Sequence, residues 1–275
     1  MPLEKTEAIL LKTFNWSESS RTVLFFTREF GKIALIDKGG RTFATKRGRL
    51  LPFARIELTF HKSERTSRGY ISDSELLELY EFQKDGTLGR LAYASGACEL
   101  LNLLLPEEEA LPALFTYFLS FLERMNKAEK QFLPSVFVTF FLRLLSQLGY
   151  HPSLSYCIAC GKDFEESGPK NGLAYFSPER GGYVCPACQR LGEYYIGVSS
   201  GGYRLLMKLQ TCSLDEASSV QIGYQEASLM LEALTKFLSY QAGIASDLKS
   251  LEFLEKLKNS QLGVEKDTHE RKDSD

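Results

Sequence analysis

The chain contains 275 residues, 44% of them hydrophobic, and its formal net charge is −2. A chain of this length buries a sizeable core and has room for two or three domains, and its composition is ordinary for a globular protein. It contains no run of about 18 apolar residues and no signal-peptide pattern, so we expect a cytoplasmic protein with reduced thiols and no membrane span.

Charge is unevenly distributed along the chain. Residues 1–70 hold fourteen Lys and Arg against seven Asp and Glu, whereas residues 71–150 hold six against eleven and residues 151–275 hold thirteen against seventeen. A basic first segment joined to an acidic remainder indicates a polyanionic partner for that segment. The alternative is that these charges only form a solvated face.

The first third of the sequence predicts a small β-barrel. Five short segments are rich in β-branched and aromatic residues and are separated by turn-forming residues: 7–14, 22–27, 32–37, 55–60 and 69–77. Five short strands in a basic unit favour an OB-fold, which would span residues 1–82. The loop between the third and fourth strands, residues 39–49, is basic and contains glycine, which suits it to follow a phosphate backbone.

Helices are predicted for most of residues 83–259. Apolar residues recur at three- and four-residue spacing in six segments: 88–105, 107–122, 131–148, 199–209, 224–241 and 251–258. Their apolar stripes are either core or, in part, a groove for a partner's apolar tail. The polar residues 260–275 are expected to form a disordered tail.

Two helix starts have specific signals. Pro106 ends the first helical pattern, and Glu107, Glu108 and Glu109 are expected to begin the second, because acidic side chains suit a helix N-terminus. Ser199 is a candidate N-cap for the helix that follows it.

Two Cys-x-x-Cys pairs lie within residues 155–192: Cys157 with Cys160, and Cys185 with Cys188. This spacing predicts a zinc ribbon or treble-clef-like knuckle, in which four thiolates bind one structural zinc ion. Such a closed site leaves no position for a reacting water, which argues against a zinc hydrolase. The alternatives are inert buried thiols and disulfides, of which a reducing compartment disfavours the second.

These patterns predict an α+β multidomain protein with an N-terminal five-stranded OB-fold barrel, an all-helical domain and an inserted four-Cys zinc knuckle. Cys98 reads as a core residue, and Cys212 has no partner motif.

Several motifs agree in order and spacing with one family. At the front they are Ala8-Ile9-Leu10-Leu11-Lys12-Thr13, Ser20-Arg21-Thr22-Val23-Leu24-Phe25-Phe26-Thr27, Gly31-Lys32-Ile33, Lys38-Gly39-Gly40-Arg41 and Arg49-Leu50-Leu51-Pro52-Phe53. Later come Leu148-Gly149-Tyr150-His151-Pro152, the cysteine pairs, Phe176-Ser177-Pro178-Glu179-x-Gly181-Gly182 and Leu248-Lys249-Ser250-Leu251-x-Phe253-Leu254. Over nearly all of its length up to about residue 259, the chain resembles the RecO family of bacterial recombination mediators.

The resemblance implies an N-terminal OB-fold, a helical domain and, as in many members, a four-Cys zinc site. It also implies binding of single- and double-stranded DNA and annealing of complementary strands. The partners that it implies are RecR and, on DNA coated by single-stranded-DNA-binding protein, RecA, which the protein would help to load.

The DNA-contact candidates are basic residues of the front segment: Lys12, Arg21, Lys32, Lys38, Arg41, Lys46, Arg47 and Arg49. Arg21 and Arg41 lie on positions that match the family, and the alternative role for such residues is a local ion pair, for example with Glu18 or Asp37. Trp16, in the first interstrand loop, and Phe43 are candidates for base stacking, whereas Trp16 alternatively covers the end of the barrel.

Two other functions compete with a DNA-binding mediator that is not an enzyme. One is an RNA-binding zinc module, which a barrel and a knuckle alone would also allow. The other is a zinc-stabilised enzyme, against which stands the absence of G-x-G-x-x-G after a strand, of a P-loop, and of the H-E-x-x-H and G-x-S-x-G motifs.

Overall fold

Five strands at the front of the chain form a closed barrel. A computed structural model describes residues 2–15, 18–40, 50–62, 69–82, 88–243, 248–253 and 256. The strands are β1 (Leu3–Asn15), β2 (Arg21–Thr27), β3 (Gly31–Asp37), β4 (Ala54–His61) and β5 (Gly69–Leu79). They pair in the order β1-β2-β3-β5-β4, and β4 pairs with β1 to close the barrel. The predicted five-stranded, OB-like barrel is confirmed, with β1 and β5 longer than expected.

The barrel forms because side chains alternate between its two faces. Every second residue of β3 and β4 is buried. Phe25, Leu35 and Leu58 belong to a core that the barrel strands share among themselves. Ile9 and Phe26 belong instead to the core of the helical domain. The helical domain therefore covers part of the outer face of β1 and β2.

Seven helices with both ends described follow: α1 (Leu88–Leu104), α2 (Pro112–Lys127), α3 (Leu133–Gln147), α4 (Phe164–Ser167), α5 (Ser200–Thr211), α6 (Leu214–Ala217) and α7 (Tyr224–Ala242). Residues 249–253 are also helical. Nearly all residues of α3 are buried, because this helix packs against α1, α2, α5, α6 and α7. The Ser199 hydroxyl accepts the Gly202 N–H at 3.0 Å, which confirms the predicted N-cap. Among the described helices, none combines the length and the apolar character that crossing a bilayer requires.

The prediction that Glu107 begins the second helix is wrong. α2 begins at Pro112, whose missing N–H is tolerated in a first turn. Glu108 has a positive φ of 57°, and its N–H donates to the Lys32 carbonyl at 3.0 Å. The three acidic residues therefore belong to a linker beside β3, because the Glu108 N–H bonds to the barrel rather than to a helical turn.

A three-stranded sheet, which the pattern did not predict, lies between α4 and α5. Its strands are β6 (Leu173–Ser177), β7 (Gly182–Val184) and β8 (Ile196–Ser199), in the order β7-β6-β8. Ala174, Phe176 and Val198 belong to the helical core, and the sheet packs against α5 and α7. The sheet therefore attaches the cysteine segment to the helices.

The linker before α2 passes close to the barrel at Gly31. This residue has a φ of +64°, and a Cβ placed on it would lie 1.9 Å from the Glu109 carbonyl oxygen. Glycine is therefore required here for two reasons, the backbone conformation and the space that the linker leaves.

We expect Gly31→Ala to lower the free energy of unfolding by about 2–5 kcal/mol, because it adds a steric clash to the strain of a left-handed residue. Gly149→Ala is the matched control, since Gly149 also has positive φ but has open space around its Cβ position. The control should lose only about 1–2 kcal/mol. Urea unfolding of both variants measures the difference, and equal losses would show that the linker does not press on Gly31.

Candidate metal centre and nucleic-acid interface

The four cysteines of the two predicted pairs lie together. Their sulfur atoms are all within 4.8 Å of one another, and the Cys160 and Cys185 sulfurs are 3.8 Å apart. A tetrahedral zinc ion with Zn–S bonds of about 2.3 Å places its sulfurs about 3.8 Å from each other. The six cysteines are free thiols, since a disulfide needs sulfurs about 2 Å apart. The donor set and its spacing therefore fit a zinc ion.

Backbone hydrogen bonds shape both turns of this cluster. At the first pair, the Gly161 N–H donates to the Cys157 carbonyl at 2.8 Å, and Gly161 has the positive φ of 72° that this turn requires. At the second pair, residues Pro186–Cys188 form a 3-10 turn in which the Cys188 N–H donates to the Cys185 carbonyl at 2.9 Å. The Cys185 N–H donates to the Cys157 sulfur at 3.3 Å and so links the pairs.

The electrostatics of the cluster favour a bound cation. Burial raises the pKa of Cys157, but N–H groups of Cys185, Ala159 and Cys160 act on its sulfur and bring its pKa down to about 6. The neighbouring thiols, Cys185 first, raise the pKa of Cys188. Four adjacent thiolates repel one another, and a divalent cation offsets that repulsion. Zinc bound by Cys157, Cys160, Cys185 and Cys188 would be structural, because four protein ligands leave no open position.

Aromatic rings hold the cluster against the helices. The Phe164 ring lies 5.0 Å from the Tyr183 ring and 4.9 Å from the Tyr203 ring of α5, between centroids. Cys157 and Cys185 are themselves part of the helical core. These rings therefore connect α4, β7 and α5 beside the cysteine cluster. Cys98 is also a core residue, as predicted, and burial raises the pKa of its thiol to about 12.

Two of the DNA-contact candidates are exposed lysines beside aromatic rings. The Lys12 ammonium in β1 lies 4.9 Å from the centroid of the Phe14 ring. The Lys38 ammonium, just after β3, lies 4.5 Å from the centroid of the Tyr70 ring. Within the described ranges, neither lysine pairs with a carboxylate. Both ammonium groups are accessible to a phosphate.

Arg21 and Lys32 contact other parts of the protein. The Arg21 Nε lies 2.9 Å from the Asp37 Oδ2, and the Asp37 side chain is buried so close to Gly40 that a Cβ there would clash with it. This is the local ion pair that the sequence offered as the alternative role. The Lys32 ammonium donates to the Asn102 carbonyl of α1 at 3.0 Å, and burial lowers its pKa against the opposing effect of Glu107. A DNA contact by either residue stays a prediction.

The remaining candidates lie outside the described residues: Arg41, Lys46, Arg47, Arg49, Trp16 and Phe43. Their predicted roles therefore stay predictions.

Ion pairs neutralise other basic residues of the front segment. Glu7 lies 2.7 Å from the Arg55 Nε and 3.3 Å from an Arg28 nitrogen, and Lys5 pairs with Glu57. The Arg55 side chain, with Arg28, holds the pKa of Glu7 below its usual range despite the opposing effect of burial. These ion pairs involve the part of β1 that precedes Lys12. Among the described strands, the exposed lysines without a carboxylate partner therefore lie towards the end of β1 and the end of β3.

Comparison with known proteins identifies the family. Residues 1–80 match the family model "Recombination protein O N terminal", and residues 86–252 match "Recombination protein O C terminal". The chain belongs to the RecO family. Its predicted resemblance to that family is confirmed.

Relatives align with the RecO family chain over almost its whole length. The DNA repair protein RecO of Symbiobacterium thermophilum is 30% identical over 264 residues, which cover 94% of this chain and 100% of that protein. The DNA repair protein RecO of Pelobacter propionicus is 33% identical over 266 residues, covering 93% and 98%. That of Listeria monocytogenes (strain CLIP80459) is 24% identical over 269 residues, covering 97% and 99%. The chain is a RecO family DNA repair protein.

The sequence pattern did not indicate three ring-bearing residues of the barrel as candidate site residues: Phe14, His61 and Tyr70. Phe14 is exposed beside Lys12, and the His61 ring lies 4.7 Å from the Tyr70 ring. The spacing of Lys12 and Phe14, two residues apart on one strand, is a sequence signal that places both on one face. The contact of Tyr70 with Lys38 has no such signal, because it depends on how β3 and β5 pair.

We expect the RecO family protein, expressed in zinc-containing medium, to carry one zinc ion per chain. Cys160→Ser and Cys188→Ser should each lose the metal and melt at a lower temperature, because each removes a ligand from the less buried side of the cluster. Cys212→Ser is the control, since this thiol lies outside the cluster, and it should keep its zinc. Elemental analysis of the purified proteins measures the content, and a zinc-free wild-type protein of unchanged stability would contradict the assignment.

Proposed function

We propose that this RecO family protein is a DNA-binding recombination mediator that binds single- and double-stranded DNA through its barrel and anneals complementary strands. With RecR, it would help to load RecA onto DNA coated by single-stranded-DNA-binding protein, in the cytoplasm. The observation that carries the proposal is the placement of Lys12 and Lys38, exposed and free of carboxylate partners in the described ranges, on a barrel whose other described cations are largely paired.

Annealing of this kind needs no catalytic side chain. Two complementary strands repel each other through their phosphates, and lysines that neutralise those phosphates let the strands approach. The loop of residues 39–49, of which residues 41–49 lie outside the described residues, adds further basic side chains close to Lys38 in the sequence. We therefore propose a binding protein that is not an enzyme, in which zinc supports the fold and the barrel gathers DNA.

A groove on the helical domain supports a protein partner. Leu88 and Leu91 of α1 line it together with Phe253, and Lys249 lies at the same site. Its cavity has a volume of about 230 Å³. We propose that it receives an apolar tail of a protein partner, and that the Lys249 ammonium pairs with a carboxylate of that tail. The proposed contact with RecR is not assigned to this groove.

We expect Lys12→Gln and Lys38→Gln each to lower the salt dependence of DNA binding by about one unit in the slope of log K against log salt, because each removes one phosphate contact. Lys127→Gln is the control, since Lys127 pairs with Glu123 at 2.6 Å on the helical domain. Fluorescence anisotropy titrations at several salt concentrations measure the slopes. Unchanged slopes in both barrel variants would place the DNA elsewhere on the protein.

We expect the protein to accelerate annealing of complementary oligonucleotides coated with the cognate single-stranded-DNA-binding protein, and the Lys12→Gln/Lys38→Gln double variant to do so more slowly. Loss of a fluorescence signal that is specific for separate strands follows the reaction. RNA strands of the same sequence serve as the comparison, and a preference for RNA would favour the RNA-binding alternative. Absence of any acceleration at low and moderate salt would remove annealing from the proposal.

A further inference from the structure

The outer face of β1, β2 and β3 is divided between the helical domain and solvent. Strand pairing places Ile9 opposite Phe26, and Phe26 opposite Lys32, in one row across this face. The helical domain covers that row, because Phe26 packs on α2 and the Lys32 ammonium bonds to α1. A ligand of this face is therefore restricted to the rows towards the other end of the strands.

The row at that other end begins with Phe14. Phe14 pairs with Thr22, Thr22 pairs with Ile36, and Ile36 pairs with Tyr70, so the row crosses β1, β2, β3 and β5. With strands about 4.8 Å apart, its ends lie about 14 Å from each other along the sheet. Thr22 is buried within the row, and Ile36 and Tyr70 are half-buried. The most accessible ring of the row is therefore that of Phe14.

Phe14 is a large aromatic residue that the fold leaves exposed on a strand. Its side chain is 47% exposed, and it belongs to neither hydrophobic core. Its described cation neighbour is Lys12, at 4.9 Å from the ring centroid, which is within the range of a cation–π contact. A large exposed ring beside an ammonium that has no carboxylate partner among the described residues offers a nucleotide two complementary groups, a π face for the base and a positive charge for the phosphate.

The far end of the row repeats this chemistry. The Lys38 ammonium lies 4.5 Å from the Tyr70 ring, and the His61 ring lies against Tyr70 with an angle of 33° between the ring planes. Two lysine–aromatic pairs thus mark the two ends of one row. A strand that runs across β1, β2 and β3 meets a cation at each end.

We infer that Phe14 stacks on a base of single-stranded DNA while Lys12 contacts the neighbouring phosphate. This inference rests on the proposed DNA-binding function and adds to it a residue that distinguishes single strands from duplexes. A duplex offers the row its phosphates but not the faces of its bases, because those faces are already stacked within the helix. Phe14 therefore contributes to binding of single strands alone, and Lys12 contributes to binding of both.

The test compares Phe14→Leu with wild type on a single-stranded oligonucleotide and on a duplex of the same length and at the same salt, by fluorescence anisotropy. Leucine keeps an apolar side chain on the strand but removes the ring. We expect the affinity for the single strand to fall about fivefold or more, as for other lost base–aromatic contacts, and the affinity for the duplex to stay unchanged. Phe14→Trp should retain single-strand binding.

Tyr240→Leu is the matched control, because Tyr240 is 52% exposed on α7, away from the barrel strands, and it should change neither affinity. Thermal melting of Phe14→Leu should match that of wild type. Unchanged single-strand binding by Phe14→Leu, or an equal loss on both DNAs, would overturn the stacking role while leaving DNA binding intact. Failure of the wild-type protein to bind either DNA would instead overturn the proposed function itself.

Discussion

The contact of Phe26 with the helical domain determines which part of the barrel's outer face is buried and which part a ligand can reach. Phe26 points outward from the barrel, since its neighbour Phe25 fills the interior. Its ring lies 5.3 Å from that of Phe115, at an angle of 69°, and 6.4 Å from that of Phe118. Burying a side chain of this size contributes about 1.5–3 kcal/mol, and an isolated barrel would expose it together with Ile9. The barrel and the helices therefore share a core, and the part of the barrel face that they share is closed to any ligand.

Polar contacts around that core set the orientation of the two parts. The Arg28 guanidinium lies over the Phe115 ring and donates to the Thr116 hydroxyl at 3.3 Å, while also pairing with Glu7 of β1. The Lys32 carbonyl accepts the Glu108 N–H of the linker. Without these contacts, the polar groups at this interface would be partly buried with no hydrogen-bond partner. Leaving such a group unpaired costs more free energy than one hydrogen bond contributes. The charged residues of this region therefore stabilise the contact between the barrel and the helices. A count of basic residues overstates the charge that is available to a polyanion, because it includes residues that hold the barrel in place.

The cysteine cluster has a comparable structural task elsewhere in the chain. Its two turns are about 25 residues apart in the chain. The Cys185 N–H to Cys157 sulfur bond, the Ile158 N–H to Tyr183 carbonyl bond at 2.9 Å and the pairing of Ser153 with Gly182 join them in the described structure. Short strands of three to five residues are weakly stable by themselves. A zinc ion bound by both turns would add four metal–sulfur bonds to these few hydrogen bonds. This explains why a four-thiolate site, which lacks an open position, is useful in a protein whose proposed chemistry needs no metal.

The sequence was sufficient where a local rule decides the outcome and insufficient where a distant segment does. Strand alternation, the Ser199 cap and the two cysteine pairs each depend on neighbouring residues, and the structure agrees with them. Lys12 and Lys32 show the limit. Both are lysines on outward positions of barrel strands, and no residue next to either of them in the chain shows which one the helices cover. Lys32 differs only because α1, about 70 residues later, places a carbonyl against its ammonium. The start of α2 was mispredicted for the same reason, since the linker before it bonds to β3. Reading such a surface requires knowing which face the rest of the chain covers, and that is a property of packing, which local pattern does not contain.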